Sequence, residues 1–397
     1  LEPGSIVLTM IVKDEGHVIE RCLESCYRLV DSYCIVDTGS TDRTKEIIKN
    51  FFDNKGIEGK IVDFPFTNFE ECRNVAIAEG RKLGEYGFWI DADETLELYD
   101  KFNKELFSKS IVKNKLDQSL LTCEYDKLKY VRTQIYRFDK GYYWYGPVHE
   151  VLTLSPEDSN AIKGDHFKYG HIVIKSEGNS WQGNVSEKYR DHAEILLQYQ
   201  NDNNWKDPRW TFYLAQSYRD AYQTLDDNLK NTDIGKNYVS KCLKYYNLRL
   251  EQGRNPNSFV EELYYSQLMI SKYVQPDVDL ANYILNLLKC DNLNPFNRIE
   301  HLYYVSLAML EGGYPGAALT QAEKGLQYIK NGTKAVLFLE HSVYEWKMLE
   351  TYGVCLARVG RSKEAVNVMN QALSRMKGLE GTPDYLRIQQ NILNNSK

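Results

Sequence analysis

The chain lacks any C-x-x-C pair among its eight cysteines, so a zinc site of the usual spacing is not expected. Those cysteines (Cys22, Cys26, Cys34, Cys72, Cys123, Cys242, Cys290 and Cys355) are scattered, and Cys22 and Cys26 share a helical pattern. This is no disulfide framework. Free thiols in so long a chain point to a reducing, cytoplasmic compartment. No run of 18 apolar residues occurs, which excludes an apolar membrane-spanning segment from the expectation. There is no G-x-x-x-x-G-K-S/T loop and no G-x-G-x-x-G, so neither kinase-like nor dinucleotide chemistry is supported. No basic block stands out in a chain of net charge −6, and nucleic acid is not an expected partner. Ser-rich or Pro-rich linkers are absent as well.

What is present suffices for two domains. Hydrophobic residues make up 43% of 397, enough to bury a core. The most informative stretch is Phe88-Trp-Ile-Asp-Ala-Asp-Glu-Thr95. An apolar run from Tyr86 to Ile90 reads as a buried strand and stops at Asp91, Asp93 and Glu94. On an extended backbone, Asp91 and Asp93 point to one side. Two hard oxygen ligands there suit Mn²⁺ or Mg²⁺ shared with a substrate phosphate. The competing reading is a solvated acidic turn.

The first 95 residues read β-α-β-α-β-α-β. Strands at 5–12, 33–36, 60–64 and 88–90 alternate with helices at 17–29, 42–52 and 68–83. Ser40 or Thr41 is expected to cap the second helix. Such alternation predicts a mainly parallel, Rossmann-like sheet with right-handed crossovers. It places Glu15, Asp37, Asp42, Asp91 and Asp93 on one rim, where ligands bind in open α/β sheets. Clustered carboxylates repel unless a cation or hydrogen-bonding ligand joins them. Beyond Thr95 the pattern weakens into short, antiparallel-looking strands. Three of the seven histidines fall between 149 and 171. His171 is the leading candidate for a third metal ligand and His149 the alternative.

These motifs resemble those of family-two glycosyltransferases of the GT-A type. The resemblance rests on Val12-Lys-Asp-Glu15, Val36-Asp-Thr-Gly-Ser-Thr-Asp42, Arg73-Asn74 and Asp91-Ala-Asp-Glu94, in that order and spacing. Gly146-Pro-Val-His-Glu150 further resembles a branch in which a helical repeat domain follows the transferase domain. It implies a UDP-sugar donor and a hydroxyl acceptor on a protein, peptide or glycan. Asp37 would bind the uracil or ribose, and Val12 to Glu15 would frame the base. Arg73 would reach the nucleotide or its diphosphate. Asp91 and Asp93 would hold ribose and metal, Asp93 more directly. In an inverting reaction a carboxylate takes the acceptor's proton. Glu150 is the candidate and Glu94 its rival. Trp144 and Tyr145 would stack on a sugar or belong to the core. A nucleotidyltransferase is the weaker enzymatic alternative, since Lys13-Asp14-Glu15 poorly replaces a glycine-rich phosphate loop. A degenerate nucleotide-sugar-binding protein is the other.

From about residue 189 helical spacing dominates. Gly353, Ala365, Met369 and Ala372 fit the small and apolar positions of a tetratricopeptide-like unit. Ser306, Ala318, Ala322 and Gly325 occupy the same offsets 47 residues earlier. The expectation is a transferase domain over 1–188 and a helical repeat domain over 189–397. The latter would bind an acceptor or form a homodimer.

Overall fold

The computed structural model describes residues 2–125, 128–155, 162–174, 184–255, 259–273, 279–335 and 337–396. The chain divides after Val185 into two compact units.

In the first unit, β1 (Ile6–Val12), α1 (Ile19–Cys26), β2 (Ser32–Asp37), α2 (Thr44–Lys55), β3 (Gly59–Asp63), α3 (Phe69–Gly80) and β4 (Tyr86–Trp89) follow the alternation read from the sequence. The strands lie in the order β3-β2-β1-β4, all parallel. Alternate side chains of β1 face opposite layers, as strand geometry requires. Ile6, Leu8, Met10 and Val12 join a core with Ile19, Cys22, Leu23 and Cys26 of α1 and Ile48, Phe51 and Phe52 of α2. Val7 joins the smaller core that holds Ile77 of α3 and Trp89. The α2 cap differs from expectation. Neither Ser40 nor Thr41 caps it; Asp42 Oδ1 accepts the Thr44 N–H instead (2.9 Å).

The chain then re-enters the same sheet. β5 (Glu94–Leu98), α4 (Lys104–Lys113), β6 (Gln118–Tyr125), β7 (Leu128–Arg137), β10 (Gly164–His166) and β11 (Gly170–Ile174) extend it as β4-β7-β6-β11-β5, with β10 beside β6. β7 is antiparallel to β4 and β6, yet β10 and β11 run parallel to β6. The later strands are thus neither all antiparallel nor separate from the first sheet. β8 (Tyr143–Tyr145) and β9 (Val151–Thr153) form a small hairpin of their own.

The second unit is helical: α5 (Val185–Asp202), α6 (Pro208–Gln223), α7 (Asp233–Glu251), α8 (Glu261–Lys272), α9 (Leu280–Leu288), α10 (Glu300–Glu311), α11 (Pro315–Asn331), α12 (Met348–Arg358), α13 (Ser362–Ser374) and α14 (Pro383–Asn395), with a short helical turn at Asp227–Lys230. The eight small or apolar repeat positions read from the sequence, from Ser306 to Ala372, are all buried. Gly353 gives room to Met369: a Cβ there would lie 2.8 Å from the Met369 Cγ. No helix among the described residues is long and apolar enough to cross a membrane. All eight cysteines are free and buried.

Candidate active site

Two loops at the carboxyl ends of β1 and β2 are tied together by carboxylates. Asp14, in the left-handed region at φ 55°, accepts the N–H groups of Thr41 (2.7 Å) and Asp42 (3.2 Å) on Oδ1. Its own N–H donates to Ser40 Oγ (2.9 Å). Glu15 N–H donates to Thr44 Oγ1 (2.8 Å) and Gly16 N–H to Asp42 Oδ2 (2.9 Å). Asp37, only 1% exposed, accepts Gly39 and Ser40 N–H on Oδ1 (3.0 and 2.9 Å). Its Oδ2 is buried with no hydrogen-bond partner among the described residues. A buried acceptor without a donor is costly, and a ligand N–H or O–H at this position would relieve that cost. Val12, buried at the end of β1, pairs with Asp37 and gives its carbonyl to Thr38.

The second half of the rim is built on tryptophan and arginine. Arg73, 8% exposed on α3, donates from Nη2 to Asp91 Oδ1 (2.8 Å) and from Nε to Glu150 Oε1 (2.6 Å). Its guanidinium lies 4.6 Å from the Trp144 ring and 5.4 Å from Trp89. Trp144 is therefore core, packed edge-on against Trp89 (4.7 Å). Asn74 fixes the hairpin by pairing with both backbone groups of Trp144 (2.8 and 2.9 Å). Arg73, expected to reach the nucleotide or its diphosphate, braces Asp91 and Glu150 here through Nη2 and Nε.

Asp91 and Asp93 do not stand on extended backbone. Asp91 to Glu94 form a turn closed by Glu94 N–H on Asp91 O (3.0 Å). Arg21 and Cys22 of α1 hold the carbonyls of Asp93 and Asp91 (3.0 and 3.4 Å). Glu94, 3% exposed, accepts Asp91 N–H (3.3 Å) and is paired with Arg132 of β7 (2.7 Å). The Arg132 guanidinium lies 4.4 Å from the Trp89 ring and 5.9 Å from that of Tyr130. Burial and the adjacent Asp91 push the Glu94 carboxyl up to about 7, against the pull of Arg132. Burial also pushes Asp91 upward, but Arg73 and Arg132 outweigh it and hold it below the usual range. Arg132 was missed in the sequence: no local motif marks a partner 38 positions from Glu94.

Asp14, Asp37 and Asp42 thus accept backbone N–H groups, while Asp91 and Glu94 face the guanidiniums of Arg73 and Arg132. Among the described residues no group of three or more His, Cys, Asp and Glu is placed to hold a metal. His171 is opposite Glu97 in the β11–β5 pairing, with Nε2 at 3.5 Å from Glu97 and 3.9 Å from Glu124. It does not complete a shell with Asp91 and Asp93. His149 is exposed, at φ 56° in the β8–β9 connection. Asp91 and Asp93 are thus not joined, among the described residues, by His171 or by its alternative His149 into a metal-holding group. Asp93 is half-buried in the same turn.

Residues 7–102 match the family described as Glycosyl transferase family 2. The chain is 37% identical over 95 residues to a TPR repeat-containing protein of Synechococcus elongatus, a stretch covering 24% of this chain and 22% of that protein. It spans well under two thirds of that relative's length. It is 24% identical over 309 residues to the SPbeta prophage-derived glycosyltransferase SunS of Bacillus subtilis, covering 72% of this chain and 68% of that protein. S. aureus TarS 1-349, solved in complex with UDP-GlcNAc, aligns at a TM-score of 0.36 with 14% identity, covering 73% of this chain and 89% of TarS 1-349. The first unit therefore carries a glycosyltransferase family 2 domain, and a helical repeat unit follows it.

Proposed function

We propose that the chain transfers a sugar from a UDP-sugar to a hydroxyl of a protein, peptide or glycan acceptor, with inversion, in the cytoplasm. The observation that carries this reading is Asp37: a buried carboxylate at the ligand-binding end of a parallel sheet, with one oxygen held by backbone N–H groups and the other unmatched. That oxygen suits a donor on uracil or ribose, with Val12 to Glu15 framing the base. The family match over 7–102 and the likeness to SunS, a glycosyltransferase by name, support the reaction class.

Glu150 would accept the acceptor's proton. Arg73 orients its carboxylate and ties it to Asp91, so the base and the donor turn share one brace. Where Mn²⁺ or Mg²⁺ is bound, Asp93 would hold it together with the donor's diphosphate, and the ion would stabilise charge on the leaving group as a Lewis acid. The helical unit would hold an acceptor or a second copy of the chain.

A second reading, a nucleotide-sugar-binding protein without turnover, draws on the same brace: Arg73 occupies both Asp91 and Glu150. UDP release from a panel of UDP-sugars separates the two. In the transferase reading Glu150→Gln lowers turnover on the order of a hundredfold or more and leaves UDP binding intact, as for loss of a general base. UDP binding without release from any donor, with or without acceptor extracts, would favour the binding protein.

A further inference from the structure

The loop that carries Glu150 is held by one face of α3. Glu70 lies three and four positions before Arg73 and Asn74, which makes the three side chains neighbours on the helix. Each takes a different part of the hairpin connection. Asn74 pairs with the backbone of Trp144 (2.8 and 2.9 Å), Glu70 Oε2 accepts the Gly146 N–H (2.5 Å), and Arg73 Nε donates to Glu150 Oε1 (2.6 Å). Phe69 adds a fourth tie. Its N–H, in the first turn where an α-helix offers no carbonyl, donates to Pro147 O (3.1 Å).

The tie made by Glu70 sets the course of the backbone. Gly146 sits at φ 113°, a conformation open to glycine, and starts the turn out of β8. Gly146, Pro147 and Val148 are buried. A buried N–H requires an acceptor, and Pro147 brings no N–H of its own. The half-buried Glu70 carboxylate is the acceptor for Gly146. Burial pushes that carboxyl up, and the bond from Gly146 opposes the push. His149, at φ 56°, closes the turn, so two positive-φ residues bracket Pro147 and Val148 and fix the direction in which Glu150 leaves. Arg73 holds the end of the Glu150 side chain; Glu70 holds the backbone from which it hangs.

We propose that Glu70 is a positioning residue for Glu150: by accepting the Gly146 N–H it sets the loop that presents the base to the acceptor hydroxyl. The inference rests on the transferase reading, with Glu150 as base. Glu70 touches neither donor nor acceptor in this account and acts through Glu150 alone.

The test follows UDP release from the UDP-sugar that turns over, in the unsubstituted chain, Glu70→Ala, Glu70→Gln, Glu150→Gln and Glu70→Ala/Glu150→Gln. Calorimetry gives the UDP affinity of each. Glu70→Ala should lower kcat on the order of ten- to a hundredfold, as a small displacement of a reacting group does. Its KM for the donor and its UDP affinity should stay within about twofold. Glu70→Gln, whose amide oxygen also accepts an N–H, should recover most of the rate. The double variant should be no slower than Glu150→Gln, since residues acting as a unit are not additive. The inference alone is overturned by a Glu70→Ala chain that keeps its kcat or loses UDP affinity in step with rate. A Glu70→Gln chain as slow as Glu70→Ala, or a double variant whose two losses multiply, also overturns it. No release from any donor, or a Glu150→Gln chain as fast as the unsubstituted one, removes the transferase reading and this inference with it. Should Glu70→Ala not fold, Glu70→Met, of similar length and without an oxygen to accept, is read in its place.

Discussion

Trp89 is where the first unit's electrostatics meet, with Arg73 and Arg132 both packed on its indole and Asp91, Glu94 and Glu150 on their outer sides. Removing one member of a buried pair leaves its partner's charge uncompensated, which is worth roughly 3 to 5 kcal/mol. Arg132→Gln should therefore lower the stability of this unit by about 3 kcal/mol in denaturant unfolding. Arg132→Gln/Glu94→Gln should recover most of the loss, since no charge is then buried alone. Equal loss in single and double variants would mean that Arg132 acts through packing on Trp89. At this scale the sequence was only partly legible. Asp37, Asp91 and Glu150 stand in recognisable turns. Arg132 lies in a strand whose alternation conceals it, and the commitment of Arg73 to two carboxylates depends on a hairpin 70 residues further on, fixed by Asn74.

Secondary-structure elements show why some of the fold could be read and some could not. β1 to β4 are apolar runs that end in polar turns, a pattern buried parallel strands produce. β5 starts at Glu94 itself and alternates Leu with Glu, as expected at the sheet edge it occupies, and so it resembles a loop in sequence. β10 is three residues, Gly-Asp-His, with no pattern to detect. In the helical unit the small-residue spacing is legible because close helix pairs demand it. Gly353→Ala should cost about 1 kcal/mol net, the crowding of Met369 Cγ exceeding the gain in helix propensity. Gly325→Ala should cost less, because its neighbour is the terminal methyl of Met348, which can swing away. Thermal unfolding of the two variants checks the ranking. A second element-scale prediction concerns Asp291, in the short helical turn Lys289–Leu293 between α9 and α10. Burial pushes its carboxyl up, but hydrogen bonds from His301 and Lys324 outweigh burial and hold it at about 2. Its folded value lies below the ordinary one, so its stabilisation is present above pH 4 and lost as pH falls toward 2. Asp291→Asn should be less stable by about 2 kcal/mol near neutrality, and the gap should close between pH 4 and pH 2. A gap independent of pH would show that the carboxylate's charge is not what matters.

On the scale of the whole molecule, two units with separate cores divide the work: one presents an acidic rim at the end of a sheet, the other a set of helices with buried ion pairs. The proposed activity belongs to the rim, and its central claim is that Asp37 receives a uridine nucleotide. The most direct measurement is calorimetric titration of UDP, GDP, CDP and TDP into the full chain and into Asp37→Asn, each with Mn²⁺ and with EDTA. The account predicts UDP-selective binding, weakened by tenfold or more, about 1.4 kcal/mol, in Asp37→Asn. Folded protein that ignores UDP under both conditions, or an Asp37→Asn chain that binds UDP as well as the unsubstituted one, would contradict it.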